Sequence, residues 1–169
     1  MIILRQHTSN SFMRPEITAQ RICLGVGAMF IFLVFVGLIK PDAFGLNLSE
    51  ANTLIYFITG AFAVWSVVQM DLQKVVTFSL SMGSAFAILG SVSFLMSDPG
   101  YSNVIPQMGA DQHMFKAIPY LLEFTTGNHI LHMVAGMLLI TAGMLARHNI
   151  KKVSSKLIGI VNYKYNIFK

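Results

Sequence analysis

Residues 75–96 read VVTFSLSMGSAFAILGSVSFLM, twenty-two positions without one ionisable side chain. Wound as an α-helix with a rise of about 1.5 Å per residue, such a run crosses a hydrocarbon layer of about 30 Å. Three further runs behave alike: 17–39, whose only charge is Arg21; 51–70, with none; and 128–146, with two histidines but no formal charge. Strands of a membrane barrel are about ten residues long and alternate in polarity, which these runs do not. The composition agrees, with 54% hydrophobic and 11% charged residues and a mean hydropathy of +0.64. About 25% charged residues is usual for a soluble domain, so a water-soluble globule could not cover itself here. Intrinsic disorder is excluded by the apolar content, and a disulfide scaffold or zinc cluster by the single cysteine, Cys23. The predicted fold class is all-α, an integral membrane four-helix bundle over 17–146 flanked by segments 1–16 and 147–169.

Basic residues predict the orientation. Arg5, Arg14, Arg21, Lys74, Arg147, Lys151, Lys152, Lys156, Lys164 and Lys169 fall on the side of both termini, against Lys40 and Lys116 on the other. That bias places both termini in the cytoplasm, in a bacterial inner membrane or a derived intracytoplasmic or thylakoid membrane. The first span, preceded by sixteen mostly polar residues, is expected to act as an uncleaved signal-anchor. The net charge of +5 is thus a topology signal, and no base-reading motif makes nucleic acid a partner.

The turn 71–74 predicts a tight hairpin of spans two and three. The long outer loop 97–127 opens with Asp98-Pro99-Gly100, a turn signal. Its second half, 110–124, reads either as a short interfacial helix interrupted near Pro119 or as an irregular packed loop. In the tail, Ile150, Val153, Leu157 and Ile160 alternate with Lys151, Lys152 and Lys156. This basic amphipathic pattern suits a membrane-surface anchor on anionic lipid or a docking helix for a partner subunit.

Spans two and four share a pattern. Ser49, Asn52, Tyr56 and Gly60 recur in spacing as Thr125, Asn128, His132 and Gly136. Each set is a hydroxyl cap, then Asn, then Tyr or His, then Gly, with the hydroxyl able to cap the free N–H groups of the first turn. The expectation is a parallel repeat of two helical hairpins. The Asn-x-x-x-His-x-x-x-Gly helix at Asn128, His132 and Gly136 resembles that of a bacterial family of small, uncharacterised four-helix membrane proteins, distantly similar to DoxX-like proteins. The resemblance covers about 25–146 and implies the four-helix fold. The family often has His at the position of Tyr56, so the substitution here weighs against a paired-histidine site.

An ionisable side chain inside a membrane is a functional candidate. His132, with His129, Asn128 and Tyr56, is the candidate cofactor site: its imidazole could ligate haem iron or chlorophyll magnesium, or hydrogen-bond a quinone carbonyl. The competing reading is interhelical hydrogen bonding to Asn128, Asn52 or Tyr56. Glu50 and Glu123 precede spans two and four, where the helix dipole favours a negative charge. No acid lies within a span, which argues against a proton pump. Ser79, Gly83, Ala87 and Ser91 recur every fourth residue, a ladder that lets another helix approach closely; Gly136 and Gly143 serve similarly on span four. The eleven methionines read as gap-fillers. No nucleophile elbow, phosphate loop or His-Glu-x-x-His motif supports an enzyme. The sequence therefore points to a non-catalytic accessory subunit of a photosynthetic or respiratory membrane complex. The alternative is a haem-, chlorophyll- or quinone-binding protein using His132.

Overall fold

The computed structural model of the protein describes residues 15–69 and 71–167, the stretch 151–167 chiefly as the course of a helix. Four helices form: α1 Pro15–Ile39, α2 Glu50–Val68, α3 Leu72–Leu95 and α4 Thr126–Ile167. Pro15 opens α1, where its missing N–H is no loss. Asp71 caps α3, its carboxylate accepting from the Gln73 N–H at 3.0 Å, and this allows α2 and α3 to be joined almost without a loop. All four helices are long and apolar enough to cross a membrane, and between 33% and 44% of each spanning window is buried inside the molecule. The larger share faces outward with side chains such as Phe32, Phe35, Phe57, Phe62, Trp65 and Met137, a surface compatible with a multi-pass membrane protein.

The helices meet where side chains are missing. A Cβ on Gly136 would lie 2.5 Å from the Ala87 nitrogen and 2.8 Å from the Gly83 carbonyl oxygen, so the α3 and α4 backbones touch. The α1–α2 crossing is built alike: a Cβ on Gly60 would lie 2.8 Å from the Gly27 carbonyl oxygen. Gly143 receives the Leu80 side chain. The expected ladder on α3 holds through Ser79, Gly83 and Ala87 but not at Ser91, which is exposed; Gly90 takes its place against His129 and Met133 of α4. The physical reason is helical pitch. Four-residue steps overshoot one turn by about 40° each, so the seam regains its face with a three-residue step.

Between α3 and α4 the structure departs from the all-α expectation. The loop folds as a three-stranded antiparallel sheet in the order β1-β2-β3, with β1 Asp98–Tyr101, β2 Ala110–Ile118 and β3 Leu122–Phe124. Asp98 pairs with Met114 and Tyr101 with Ala110; Phe115 pairs with Phe124 and Lys116 with Glu123. Neither the interfacial helix nor the irregular loop expected over 110–124 forms; β2 and β3 take their place, and Asp98-Pro99-Gly100, expected as a turn, lies in β1. In this stretch the apolar residues Met114, Phe115 and Ile118 satisfy either period, and pairing partners on both edges of β2 settle the choice. Tyr120, at φ 67°, turns the chain between β2 and β3.

Helix α4 runs unbroken through the expected boundary at 146–147. Its 42 residues span about 63 Å at the α-helical rise, roughly twice a hydrocarbon core. The tail is therefore a continuation of the fourth span. The side chains of Lys151, Lys152 and Lys156, and most of the segment 1–16, lie outside the described residues.

The core centres on Phe30, stacked on Tyr56 with centroids 5.1 Å apart and planes parallel, with Val26, Leu33, Phe86 and Leu139 around them. Cys23 is buried in this cluster near Ser66. A smaller cluster of Ala19, Val76, Ala142 and Ala146 closes the opposite end of the bundle from the sheet.

Candidate functional site

The polar residues that the two shared patterns contain converge at the sheet end of the bundle. Asn128 is the hub. Its Oδ1 accepts from the Asn47 N–H at 2.9 Å and the Thr125 N–H at 3.0 Å. Its Nδ2 donates to Tyr56 Oη at 2.9 Å and lies 3.3 Å from the Asn47 carbonyl oxygen. Asn52, at the matching place on α2, donates through Nδ2 to the carbonyl oxygens of Asn47, 2.8 Å, and Glu123, 2.9 Å. The two asparagines thereby tie both helix starts to both entering chains. Thr125 Oγ1 lies 2.8 Å from the Gly45 carbonyl oxygen and 2.7 Å from Asn128 Oδ1, its one proton serving one acceptor at a time.

Tyr56 and His132, again at matching places, touch each other: Tyr56 Oη is 3.1 Å from His132 Nε2. Since Asn128 already donates to that oxygen, the phenol proton goes to Nε2, and the neutral imidazole carries its own proton on Nδ1. His132 Nδ1 is buried without a partner. The ring sits among Phe86 and Phe124, both with centroids at 5.2 Å. His129 is held differently. Its Nε2 lies 2.8 Å from the His113 carbonyl oxygen, which can only accept, so Nε2 carries a proton; Nδ1 lies 2.7 Å from Ser93 Oγ, whose one proton is shared between that nitrogen and the Leu89 carbonyl oxygen. His129 therefore bridges β2, α3 and α4.

Two carboxylates organise the cap. Glu123 is fully buried and is turned away from the α4 N-terminus, where the sequence places it as a dipole partner. Its Oε2 accepts from Ser102 Oγ and the Asn103 N–H, both at 2.8 Å, and its Oε1 from the Tyr120 N–H at 3.3 Å. Burial alone would push this carboxyl up, but these hydrogen bonds, with Lys116 nearby, outweigh it and hold the group below its usual range. Asp111 of β2 takes the place at the helix start: its Oδ1 accepts from Thr126 Oγ1 at 2.7 Å and the Thr126 N–H at 3.1 Å. Its carboxyl is also held low, by those bonds against the opposing effect of burial. On α2 the expected cap is not made, because the Ser49 side chain forms no capping bond.

A carboxyl that titrates lower in the folded protein than in the unfolded chain stabilises fully above its unfolded value, and that contribution is lost as pH falls through the folded value. The thermal midpoint should therefore fall as the buffer is taken from about pH 7 to below the ordinary carboxyl range. Glu123→Gln should lower the midpoint at neutral pH and flatten its fall on acidification. An unaltered acid profile in the variant would remove Glu123 from this account.

The structure thus brings together Asn128, His132, Tyr56 and Asn52, and sets His129 beside them through a separate set of contacts. Sequence reasoning did not single out Asn47, Ser93, Ser102 or Asp111. A polar Asn between Leu46 and Leu48 is a faint signal of a buried hydrogen-bonding role; the others carry none, since their partners are remote in sequence. Among the described residues no three His, Cys, Asp or Glu side chains converge as a metal-ligand set. No family model, curated protein or solved structure matches this chain.

Proposed function

We propose that the protein is a non-catalytic structural subunit of a larger membrane complex, built from two like-oriented helical hairpins with both termini in the cytoplasm. The observation that carries this reading is the use of the polar residues. Asn52, Asn128, Tyr56 and His129 spend their hydrogen bonds on joining helices to one another and to the cap, as a scaffold requires and a reaction site does not. The hairpin repeat is supported by Tyr56 meeting His132 and by the matched crossings at Gly27–Gly60 and Gly83–Gly136. The orientation rests on the basic residues counted above. Membrane lipids and other integral membrane subunits are the partners.

One observation favours a second reading. The unpartnered Nδ1 of His132 carries the imidazole proton and would donate to a quinone carbonyl, in keeping with a DoxX-like redox component; a haem or chlorophyll metal there would need the other tautomer, with Tyr56 Oη accepting from Nε2. One experiment separates the two. Gently solubilised native membranes, run by size exclusion with a full visible spectrum, should yield the tagged protein in a particle far larger than its own micelle. His132→Leu should leave that particle and its spectrum unchanged. A lone small peak would overturn the subunit reading, and absorbance lost in the variant with folding intact would establish the second.

A further inference from the structure

At the sheet end, a cavity of about 420 Å³ opens between the end of α1, the start of α2 and the loops around residues 105 and 120. This lies within the usual range of ligand sites, roughly 300–1,000 Å³. Its inner wall is Leu48 and Ile105, both buried, and its rim is Leu38 and Leu121, both exposed. An apolar chain can therefore leave the cavity along the outward face of the bundle.

Its polar lining is Ser49, Glu50, Thr53, Gln107 and Tyr120, and the first two stand side by side at the start of α2. Ser49 is 4% exposed and its hydroxyl has no hydrogen-bond partner. As the residue before α2 it would ordinarily cap the first turn, yet it forms no capping bond, leaving that turn with free N–H groups. The matching hydroxyl of Thr125 lies 2.7 Å from Asn128 Oδ1, whereas the Ser49 hydroxyl and Asn52 Oδ1 are both without partners. A buried hydroxyl left unpaired is costly, so this asymmetry marks a place where a ligand atom completes the structure. Beside it, Glu50 is exposed and among the described residues makes no ion pair. The hydroxyl and the helix start favour an oxygen with negative charge, and the carboxylate favours a cation next to it. A simple anion meets repulsion from Glu50, and a simple cation leaves the free N–H groups of the α2 start without an acceptor.

We propose that this cavity holds the headgroup of a zwitterionic phospholipid bearing a primary ammonium, of the ethanolamine type. Ser49 and the α2 N-terminus take a phosphate or ester oxygen, Glu50 takes the ammonium, and an acyl chain leaves past Leu38 and Leu121. A quaternary choline head offers no N–H to the carboxylate, and a glycerol head offers no cation, so both bind less well.

The test is native mass spectrometry of the full chain, stripped of lipid by detergent washing and offered ethanolamine, choline and glycerol phospholipids of identical acyl chains in equal amounts. The ethanolamine lipid should be retained about tenfold better than either competitor, the difference expected of one charge-assisted hydrogen bond. Glu50→Gln, at an exposed position, should abolish the preference while lowering the thermal midpoint by no more than about 4 °C, the loss of one exposed charge at a helix start. Ser49→Ala should reduce retention of all three lipids. Equal retention by the wild-type chain, or an ethanolamine preference that survives Glu50→Gln, overturns the proposal.

Discussion

Gly136→Leu should lower the thermal unfolding midpoint of the detergent-solubilised protein by roughly 10 °C, the shift that about 3 kcal/mol produces in a chain of this size. The groups in the way are the Ala87 nitrogen and the Gly83 carbonyl oxygen, at 2.5 and 2.8 Å from the position of an added Cβ. Both belong to the α3 backbone, so no side chain can rotate aside and the helices must separate. Overpacking in a core typically costs about 1–3 kcal/mol, and this site belongs at the upper end. In a membrane, moreover, close approach of backbones supplies much of the attraction between helices, because lipid gives no hydrophobic drive to their association. Gly25→Leu is the matched control, since nothing lies within 4 Å of its added Cβ. Circular dichroism melts of the two variants would decide the matter, and coincident midpoints would refute the backbone-contact account of the α3–α4 seam.

Asn128→Ala should open the cap without unfolding the bundle. The substitution leaves the Asn47 and Thr125 N–H groups without the acceptor they share and deprives Tyr56 Oη of its donor. Each buried group so stranded costs about 1–3 kcal/mol; with some access of water, a total near 3 kcal/mol is expected. Hydrogen exchange at the Asn47 and Thr125 amides should accelerate about 100-fold, as a local opening eased by that energy requires. Exchange in the middle of α3 should change little. Asn52→Ala should do less, because it strips donors from two carbonyl oxygens, which tolerate a missing partner better than an N–H does. Unchanged exchange at Asn47 and Thr125 in Asn128→Ala would show that Asn128 is not the hub.

The spans were legible because the signal is local and redundant. Residues 17–39, 51–70 and 75–96 fall within a few positions of α1, α2 and α3, since length without charge suffices to mark a membrane helix. The fourth start was equally plain, but its end was not: the composition changes from apolar to basic at residue 147, and the helix passes through that change. The small-residue ladder was read with a four-residue step, which the 3.6-residue turn corrects at Gly90. The pattern shared by Ser49–Gly60 and Thr125–Gly136 located most of the polar site and named Tyr56 among the possible partners of His132, though the part played by Asn47 lay beyond it.

The sheet shows where local reading stops. Over 110–124 the apolar residues fit a helix and a strand alike, and the strand forms because Asp98–Tyr101 and Leu122–Phe124 pair with it. Glu123 carries the same lesson. Its place before α4 suggested a charge serving the helix dipole, whereas hydrogen bonds from Ser102, Asn103 and Tyr120 turned it into the anchor of the cap, and Asp111 took the helix start. The sequence by itself determined that four helices are apolar enough to span a membrane, and which polar residues lie near the start of two of them. Tertiary structure decided which of the possible hydrogen bonds form across the bundle, because bonds such as those of Asn128 with Asn47 and Tyr56, and of Glu123 with Ser102, join groups far apart in the chain.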